Sequence, residues 1–418
     1  MMDITVSAWG LTDVGNVRNV NEDGVLLKPA LGLFAVADGM GGYPAGEVAS
    51  RVALETLAEH LASHREVLQR VSDDRSKATE LLPSMADAAF QSASAKVYEQ
   101  AKAMRSGSGQ TIATTLTMML VVGNRGVMAH VGDSRIYLLR DNQIYLITED
   151  HNHLQILIKN GLDPRNAARV PNARALTRAI GPQPRVEVDT LSFVPMPDDI
   201  YLLCTDGLHA LLSRDEVAQL LRSPELERIP ERCVALAKER GAPDNVSCVV
   251  VKVSAAQREV KGSVAEKARL EMDALSRLEL FGNLEYLDIL ELMGRFEERQ
   301  VKTGEVIFRQ GSTGTEMYVI VEGRVALRRD NKLIRFLEAG SHFGEFALID
   351  QEPRSATVVA VEPCHLLVLT ADQFDRLKRE DPSRGLAFYE VLSKRLSLNL
   401  REVIELLLQK TGINMSET

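Results

Sequence analysis

The sequence is poor in cysteine, and this shortage excludes two kinds of stabilising site. Its four cysteines are widely separated and stand among apolar residues: Cys204, Cys233, Cys248 and Cys364. We therefore expect reduced, buried thiols rather than a disulfide framework. No group of histidines and cysteines has the spacing of a zinc site.

Long apolar runs and excess positive charge are missing as well. No run reaches the ~18 residues that a membrane helix needs. The start, MMDITVSAWG, lacks the basic and apolar regions of a secretion signal. The sequence therefore predicts a cytoplasmic protein with no membrane partner. The net charge of −9 argues against a general nucleic-acid binder, since phosphate binding needs a basic face.

The chain has 418 residues, too many for one ordinary core, so two domains are expected. Residues 4–254 contain β-branched, partly alternating runs interrupted by two helical patterns, at about 44–63 and 78–104. This order favours a sandwich of mainly antiparallel sheets with helices, an α+β fold. Residues 152–180 carry Gly161, Pro164 and Pro171 and little strand character, which indicates a surface flap.

The composition changes after residue 254. Residues 255–275 are charged and helix-favouring, which predicts a helical linker. Short strands punctuated by glycine then return and indicate a small β-roll or barrel. A long amphipathic helix begins at about residue 384. The second domain is thus expected over 276–405, followed by a tail at 406–418.

Acidic residues stand at the ends of several predicted strands in the first domain. Asp38 and Asp206 each end an apolar run and precede a glycine, Asp133 follows another run, and Asp244 precedes one. A buried carboxylate is costly unless it is paired or bound to a metal, and converging carboxylates repel one another. A divalent cation would relieve that repulsion, and hard oxygen donors favour Mg²⁺ or Mn²⁺.

Each fragment alone has a simpler explanation, since an aspartate–glycine pair after a strand is most often only a turn. The combination is more specific. The motifs RNVNED, VADGMGG, HVGDSRIYLL, LITEDH, ALTRAIG, LLCTDGL and APDNVSCVVV resemble, in this order, those of the metal-dependent protein serine/threonine phosphatases of the phosphatase-2C (PPM) type. The resemblance covers about residues 4–254. It implies a four-layer α-β-β-α sandwich with a binuclear Mn²⁺/Mg²⁺ centre in a cleft at one end.

The resemblance also implies the ligands of that centre. Asp38 would bridge the two ions, and the main-chain carbonyl of Gly39 would bind one of them. Asp206 and Asp244 would bind the other ion. Glu22 would hold waters bound to the metals.

Two further residues complete the implied site. Asp133 with Asp206 could form a third, weaker metal site, and Arg18 would receive the substrate phosphate, so that Arg18, Asp38 and Asp206 are the expected catalytic residues. Two hard cations lower the pKa of a water, orient it for attack on phosphorus and offset charge on the phosphoryl oxygens. Arginine offers a planar, two-pronged donor that matches phosphate. No cysteine is followed six residues later by an arginine, so a cysteine-nucleophile phosphatase is not supported.

Met40 departs from the family pattern, because many members carry a histidine there that serves as general acid. A methionine cannot donate a proton, so water is expected to protonate the leaving group. Thr114 and Thr115 match the family's threonine pair, and we expect a structural role for them. His130 and His151 also belong to motifs, and core or flap-anchoring roles are expected.

Residues 340–358, GSHFGEFALIDQEPRSATV, carry the sharpest pattern of the second domain. The start of a short helix suits an anion, Arg354 could add a two-pronged donor for phosphate, and Glu345 could accept a hydroxyl hydrogen bond. Together they indicate a site for a sugar phosphate. The simpler alternative is an ion pair between this arginine and this glutamate on a loop.

This segment resembles the phosphate-binding cassette of cyclic nucleotide-binding domains, and residues 276–405 resemble the whole domain. The resemblance implies that Glu345 binds the ribose 2′-hydroxyl. It also implies that the cyclic phosphate is bound by a set of neighbouring groups: Arg354, Ser355, the Ala356 N–H and Gly344. The choice between cAMP and cGMP stays open.

Three functions remain compatible with the sequence. The first is a phosphatase for phosphoserine and phosphothreonine in proteins, tuned by a cyclic nucleotide with a coupling free energy of ~1–3 kcal/mol. The second is a phosphoprotein-binding module gated by the nucleotide, which the intact acidic set disfavours. The third is a constitutive phosphatase with a silent second domain. The substrate, the kinase, the sign of regulation and the oligomeric state stay open. A transcription regulator is not expected, because too little sequence follows residue 400 for a helix-turn-helix.

Overall fold

The computed structural model divides into two compact units, Met1–Glu266 and Lys267–Thr418. It describes residues 4–42, 44–71, 75–104, 112–255, 295–348 and 352–380, with the single positions 274, 386, 393 and 397. Nearly all of the predicted linker, the predicted C-terminal helix and the tail lie outside the described residues. The predicted domain bounds therefore stay predictions.

Two antiparallel sheets form the centre of the first unit. One has the order β1 (Ile4–Asp13), β11 (Val246–Ala255), β10 (Ile200–Cys204), β7 (Arg135–Arg140) and β8 (Gln143–Leu146). The other has the order β2 (Asp23–Lys28), β3 (Leu33–Met40), β5 (Leu116–Val122), β6 (Arg125–Val131) and β9 (Asp189–Phe193), and β4 (Ala113–Thr114) also pairs with β3. Strand β11 contacts β2 and β3, so the two sheets face each other.

Helices cover the outer face of each sheet. Helices α1 (Ala45–Ser63) and α3 (Arg75–Met104), with α2 (Arg65–Val71) between them, pack on the sheet of β3, and lie at the two predicted helical patterns. Helices α6 (Asp206–His209), α7 (Arg214–Leu221) and α8 (Ile229–Glu239) lie on the side of β10 and β11. Short 3-10 turns cover Pro29–Leu31 and Leu226–Arg228. The four-layer α-β-β-α sandwich is therefore confirmed.

This layering explains why the strands of the sequence read as continuous apolar runs. Residues 33–37 of β3 are all fully buried, because α1 covers one face and the opposite sheet covers the other. The predicted flap, residues 152–180, instead lies outside both sheets and contains α4 (His153–Lys159) and the single turn α5 (Pro164–Ala167). Most of its residues are exposed.

The second unit contains two four-stranded antiparallel sheets. Their orders are β12 (Glu297–Val301), β19 (Cys364–Thr370), β14 (Glu316–Glu322), β17 (His342–Phe343), and β13 (Val306–Phe308), β18 (Thr357–Ala360), β15 (Arg324–Arg329), β16 (Lys332–Glu338). A shared apolar core lies between them. A 3-10 helix covers Glu345–Leu348, and α9 covers Ala371–Glu380. The predicted β-roll is thus confirmed.

The sequence predicted neither disulfides nor membrane helices, and the described residues can be compared with both expectations. The four cysteines are buried and form no disulfide, as reduced thiols should. No helix in the described ranges is long and apolar enough to cross a bilayer.

Candidate functional site

Asp38 lies near the end of β3, where a pair of threonines fixes its main chain. Its N–H donates to Thr115 Oγ1 at 2.9 Å, and its carbonyl accepts from Thr115 N–H and Thr114 Oγ1, each at 2.9 Å. The Thr115 hydroxyl also lies 2.8 Å from that of Ser134. The main chain of Asp38 is therefore rigidly held, which is the structural role expected for the threonine pair.

Gly39 is required because two other backbone segments approach it closely. A Cβ at this position would lie 2.1 Å from Gly46 O and 2.5 Å from Glu22 O. The Gly39 N–H donates to Glu22 O at 3.2 Å, and the Glu22 N–H donates to Asn245 Oδ1 at 2.8 Å. This chain of contacts brings Glu22 and Asp38 to the same strand end, next to the loop of Asp244.

Asp206 begins helix α6 directly after β10. A Cβ at the following Gly207 would lie 1.9 Å from the main-chain oxygen of Asn245, so glycine allows the Asp206 and Asp244 loops to touch. The carboxyl group of Asp206 lies near that of Asp38 and raises its pKa. All three aspartates of the predicted binuclear centre are thus neighbours.

Arg18 lies at the exposed edge of this group. Its Nη2 donates to Asp244 Oδ2 at 2.8 Å, and about half of its side chain is exposed. The hydrogen bond and the charge of Asp244 raise the pKa of Arg18, and the charges of Glu22 and Asp38 raise it further. The predicted phosphate-binding residue is therefore accessible beside the predicted metal ligands.

Asp133 reaches the same place from the turn between β6 and β7. The preceding Gly132 has a φ of 118°, a conformation that favours glycine, and donates its N–H to His151 Nδ1 at 3.1 Å. His209 Nε2 lies 2.9 Å from the carbonyl oxygen of Asp133. His151 also bonds Asp189 Oδ2 through Nε2, at 2.9 Å, and so joins the turn to β9.

The acidic residues raise one another's pKa. Burial, followed by the charges of Asp23, Asp206 and Asp133, raises the pKa of Asp38 well above its usual value. Burial and the charge of Asp206 raise the pKa of Asp133 to about 7. Burial also raises the pKa of Glu22. The carboxylates therefore converge, and the nearby cations Arg18 and Arg135 do not fully offset the effects of burial and mutual repulsion on these pKa values.

The donor set fits a hard divalent cation. Two buried oxygens, Glu22 Oε1 and Asp206 Oδ1, have no hydrogen-bond partner in the described chain, and orphaned acceptors of this kind are ordinary metal ligands. No three acidic, histidine or cysteine side chains of the described ranges already have the geometry to hold an ion.

Asp23 also belongs to this cluster, although sequence reasoning gave it no role. It faces Asp38 across β2 and β3, and its Oδ2 accepts from Thr205 Oγ1 at 2.8 Å and from Ser247 Oγ at 2.6 Å. Burial, partly offset by these hydroxyls, raises its pKa to about 7. Its place after Glu22 in RNVNED was a signal, but the sequence could not reveal its partners on the opposite sheet.

Arg354 lies buried at the candidate nucleotide site of the second unit. Its Nη1 donates to Gly344 O at 3.1 Å, its Nη2 donates to Glu316 Oε2 at 3.2 Å, and its guanidinium lies 4.2 Å from the centroid of the Phe308 ring. Gly344 has a φ of 81°, and a Cβ there would lie 2.7 Å from Nη1. Nε is buried without a partner among the described residues. The guanidinium is thus held in place while its Nε–H stays unused.

The other predicted nucleotide-binding residues adjoin this arginine. Glu345 begins the 3-10 helix directly after Gly344, while Ser355 is exposed and Ala356 is buried just before β18. Arg354 does form an ion pair with a glutamate, as in the simpler alternative, but the partner is Glu316 and not Glu345. Sequence reasoning missed Glu316, which lies 38 positions before Arg354.

Two segments of the chain match known families. Residues 19–241 match the profile of Protein phosphatase 2C, and residues 298–381 match that of the Cyclic nucleotide-binding domain. The first match spans more than half of the chain. The chain belongs to the protein phosphatase 2C family. The predicted combination of a phosphatase-2C domain with a C-terminal cyclic nucleotide-binding domain is confirmed.

Two named phosphatases are similar to this phosphatase-2C family member. The serine/threonine protein phosphatase PstP of Mycobacterium tuberculosis is 37% identical over 243 residues, which are 58% of this chain and 44% of that relative. The chain therefore covers less than half the length of PstP. The serine/threonine phosphatase stp of Listeria welshimeri is 31% identical over 254 residues, 59% of this chain and 96% of the relative.

A solved structure shows the same fold. The catalytic domain of PstP in complex with two manganese ions has a TM-score of 0.51 and 34% sequence identity, and the alignment covers 60% of this chain and 99% of that one. The first unit of this chain is accordingly a serine/threonine protein phosphatase domain.

Proposed function

We propose that this chain hydrolyses phosphoserine and phosphothreonine esters of proteins with Mn²⁺ or Mg²⁺, and that a cyclic nucleotide bound to the second unit regulates the rate. One observation carries the first part. The carboxyl groups around Asp38 converge, raise one another's pKa and leave two buried oxygens without a partner in the described chain. The similarity to phosphatases, one of them solved with two manganese ions, supports the same conclusion.

The proposed ligands follow from this convergence. Asp38 would bridge two ions, with the Gly39 carbonyl on one and Asp206 and Asp244 on the other, while Glu22 would act through waters. A third ion would lie between Asp133 and Asp206. When bound, the ions supply an activated water for attack on phosphorus and offset the charge of the phosphoryl oxygens.

The chain's own residues bind and orient the substrate. Arg18 would exchange its exposed partner Asp244 for the substrate phosphate, using its two-pronged donor. Thr114 and Thr115 keep the main chain of Asp38 fixed during this exchange. Met40 carries no acidic proton, so the leaving alkoxide would take its proton from water.

The proposed regulatory site lies in the second unit. Arg354 would bind the cyclic phosphate with its unused Nε and would be joined there by Gly344, Ser355 and the Ala356 N–H. Glu345 would accept the ribose 2′-hydroxyl. These contacts involve the ribose and the phosphate and do not distinguish between bases. Both cAMP and cGMP should therefore be tested.

The decisive experiment measures phosphate release from a phosphothreonine peptide as a function of Mn²⁺, with and without each nucleotide. Wild type should be active only with metal, and Asp206→Asn should lose at least about 100-fold, since one carboxylate ligand is removed. Equal inactivity of both proteins would support a phosphoprotein-binding module instead. A rate change on adding nucleotide that disappears in Arg354→Ala would establish regulation, whereas no heat of binding in calorimetry would remove it.

A further inference from the structure

The flap is strongly basic in an acidic chain. Residues 152–180 contain five cationic side chains and one acidic side chain, a net charge of +4, whereas the whole chain carries −9. The cations are Lys159, Arg165, Arg169, Arg174 and Arg178, and the acid is Asp163. Such a local reversal of charge creates a surface that attracts anions.

Three of these cations have no balancing anion among the residues that the structure describes. Lys159 pairs with Glu149, and Arg178 pairs with Asp189 and Glu187. Arg165, Arg169 and Arg174 are exposed and have no ion-pair partner among the described residues. Their charge is available to a binding partner.

Apolar side chains accompany the arginines. Ile156, Leu162 and Val170 have exposed fractions of 45%, 38% and 38%, on the same 29-residue segment. Arginine is enriched at protein–protein interfaces, and the exposed apolar side chains beside it offer contacts to an aliphatic residue of a partner.

Both ends of the flap are anchored beside the acidic cluster. The His151 N–H donates to Gly132 O at 2.7 Å, directly before Asp133. At the other end, the Thr177 N–H donates to His151 O at 2.8 Å. The flap therefore begins and ends at the turn that carries a proposed metal ligand, next to the place where a phosphorylated residue would react.

We propose that the flap selects phosphoprotein substrates that carry acidic residues, together with an aliphatic residue, close to the phosphorylated position. This inference rests on the proposed phosphatase function. The carboxylate cluster by itself repels an acidic peptide, and the three unbalanced arginines reverse that preference at the flank. Arginine–carboxylate contacts at a partly exposed surface act on encounter and specificity, and salt weakens them.

The test compares two phosphothreonine peptides of equal length, both containing leucine, with flanking glutamates in one and glutamines in the other. p-Nitrophenyl phosphate, which is too small to reach the flap, reports on the catalytic centre alone. The full-length variant Arg165→Gln/Arg169→Gln/Arg174→Gln is set against Arg328→Gln/Arg329→Gln/Arg335→Gln, which removes the same charge from exposed positions of the second unit.

Wild type with Mn²⁺ should show a kcat/KM about tenfold higher for the glutamate peptide, and the flap variant should lose this preference. The control variant should keep it, p-nitrophenyl phosphate turnover should not change, and the preference should shrink between about 50 and about 300 mM salt. A preference retained by the flap variant, or missing in wild type, overturns the inference.

A binding measurement distinguishes failure of this inference from failure of the proposed phosphatase function. If no substrate is hydrolysed, including p-nitrophenyl phosphate, the phosphatase proposal fails. Fluorescence anisotropy of the labelled glutamate peptide then decides the flap's role, because its affinity should still fall in the flap variant and not in the control. Tighter binding of a single-stranded oligonucleotide of equal charge would identify nucleic acid as the partner and overturn the proposal.

Discussion

Arg354 donates to the carboxylate of Glu316, on strand β14, while its guanidinium lies against the ring of Phe308. The arginine that the sequence assigns to a cyclic phosphate therefore already carries an internal anion. An incoming phosphate has to share the guanidinium with this carboxylate or displace it.

Glu316→Gln should increase the affinity for the cyclic nucleotide about fivefold, because the competing charge is removed from a partly exposed ion pair. Isothermal titration calorimetry with cAMP and cGMP measures the change. Glu362→Gln, which removes an exposed carboxylate paired with Arg324, should have no effect. A weaker affinity in Glu316→Gln would mean that the carboxylate orients the arginine instead of competing for it.

Gly39→Ala should destabilise the fold by about 1–3 kcal/mol, since its Cβ would meet two backbone oxygens that cannot move independently. It should also abolish the stabilisation by Mn²⁺, because Glu22 is pushed away from Asp38. Thermal melts with and without Mn²⁺ measure both effects. In Gly161→Ala, where a Cβ meets nothing within 4 Å and the φ of 87° costs some stability, the metal response should survive.

Arg18→Lys should raise KM for a phosphothreonine peptide about tenfold and leave the melting temperature unchanged, because lysine has no two-pronged fork and the side chain is half exposed. Steady-state kinetics separate KM from kcat. Arg51→Lys, at an exposed helical ion pair, serves as the matched control. An unchanged KM would remove Arg18 from the phosphate site.

The pKa values of the cluster predict a pH dependence for the metal-free protein. The pKa of Asp23 and Asp133 is about 7 in the folded chain, against an ordinary 3.8. Between these values the folded chain binds more protons than the unfolded chain, so the free energy of unfolding falls as pH rises. Melts in EDTA from about pH 5 to about pH 8 should show a midpoint that falls by several degrees.

Two comparisons check this pH dependence. Saturating Mn²⁺ should reduce the fall, because Asp133 as a ligand would be ionised throughout the range. Asp133→Asn in EDTA should reduce it, since one of the titrating groups is gone. The same slope in wild type and in Asp133→Asn would contradict the assignment.

Arg140→Met should destabilise the first unit by about 3–5 kcal/mol, because it leaves the buried Asp199 carboxylate without its cation. Arg140 Nε donates to Asp199 Oδ1 at 2.6 Å, and both side chains are almost fully buried. Denaturant titration measures the loss. The exposed pair of Arg51 and Glu55 gives the contrast, since Arg51→Met should cost no more than about 0.5 kcal/mol.

Much of the fold could be predicted from the sequence, because the patterns that indicate strands and helices are local. The apolar run of residues 33–37 ends at Asp38 and a glycine, and it is the central strand β3. The helical patterns at about 44–63 and 78–104 correspond to α1 and α3. The periodicities of strands and helices depend on residues a few positions apart, so they can be recognised without knowing the rest of the structure.

The hydrogen-bond and ion-pair partners of the site residues could not be predicted in the same way. Asp23 accepts from Thr205 and Ser247, more than 180 positions away, and Glu316 meets Arg354 across a strand. Gly39 looked like a residue that opens a turn, but it is needed because Gly46 and Glu22 approach its Cα. Register between strands and the packing of loops set these contacts.

The sequence by itself predicted the type of chemistry: hard oxygen donors at strand ends, an arginine for a phosphate, and a second arginine in a cassette for a cyclic nucleotide. These are properties of side chains and their order, so no coordinates were needed. Only the tertiary structure decided which charges stay unbalanced, namely the carboxyls around Asp38 and the arginines of the flap. Charge balance depends on distance and burial, and these arise when segments far apart in sequence pack together.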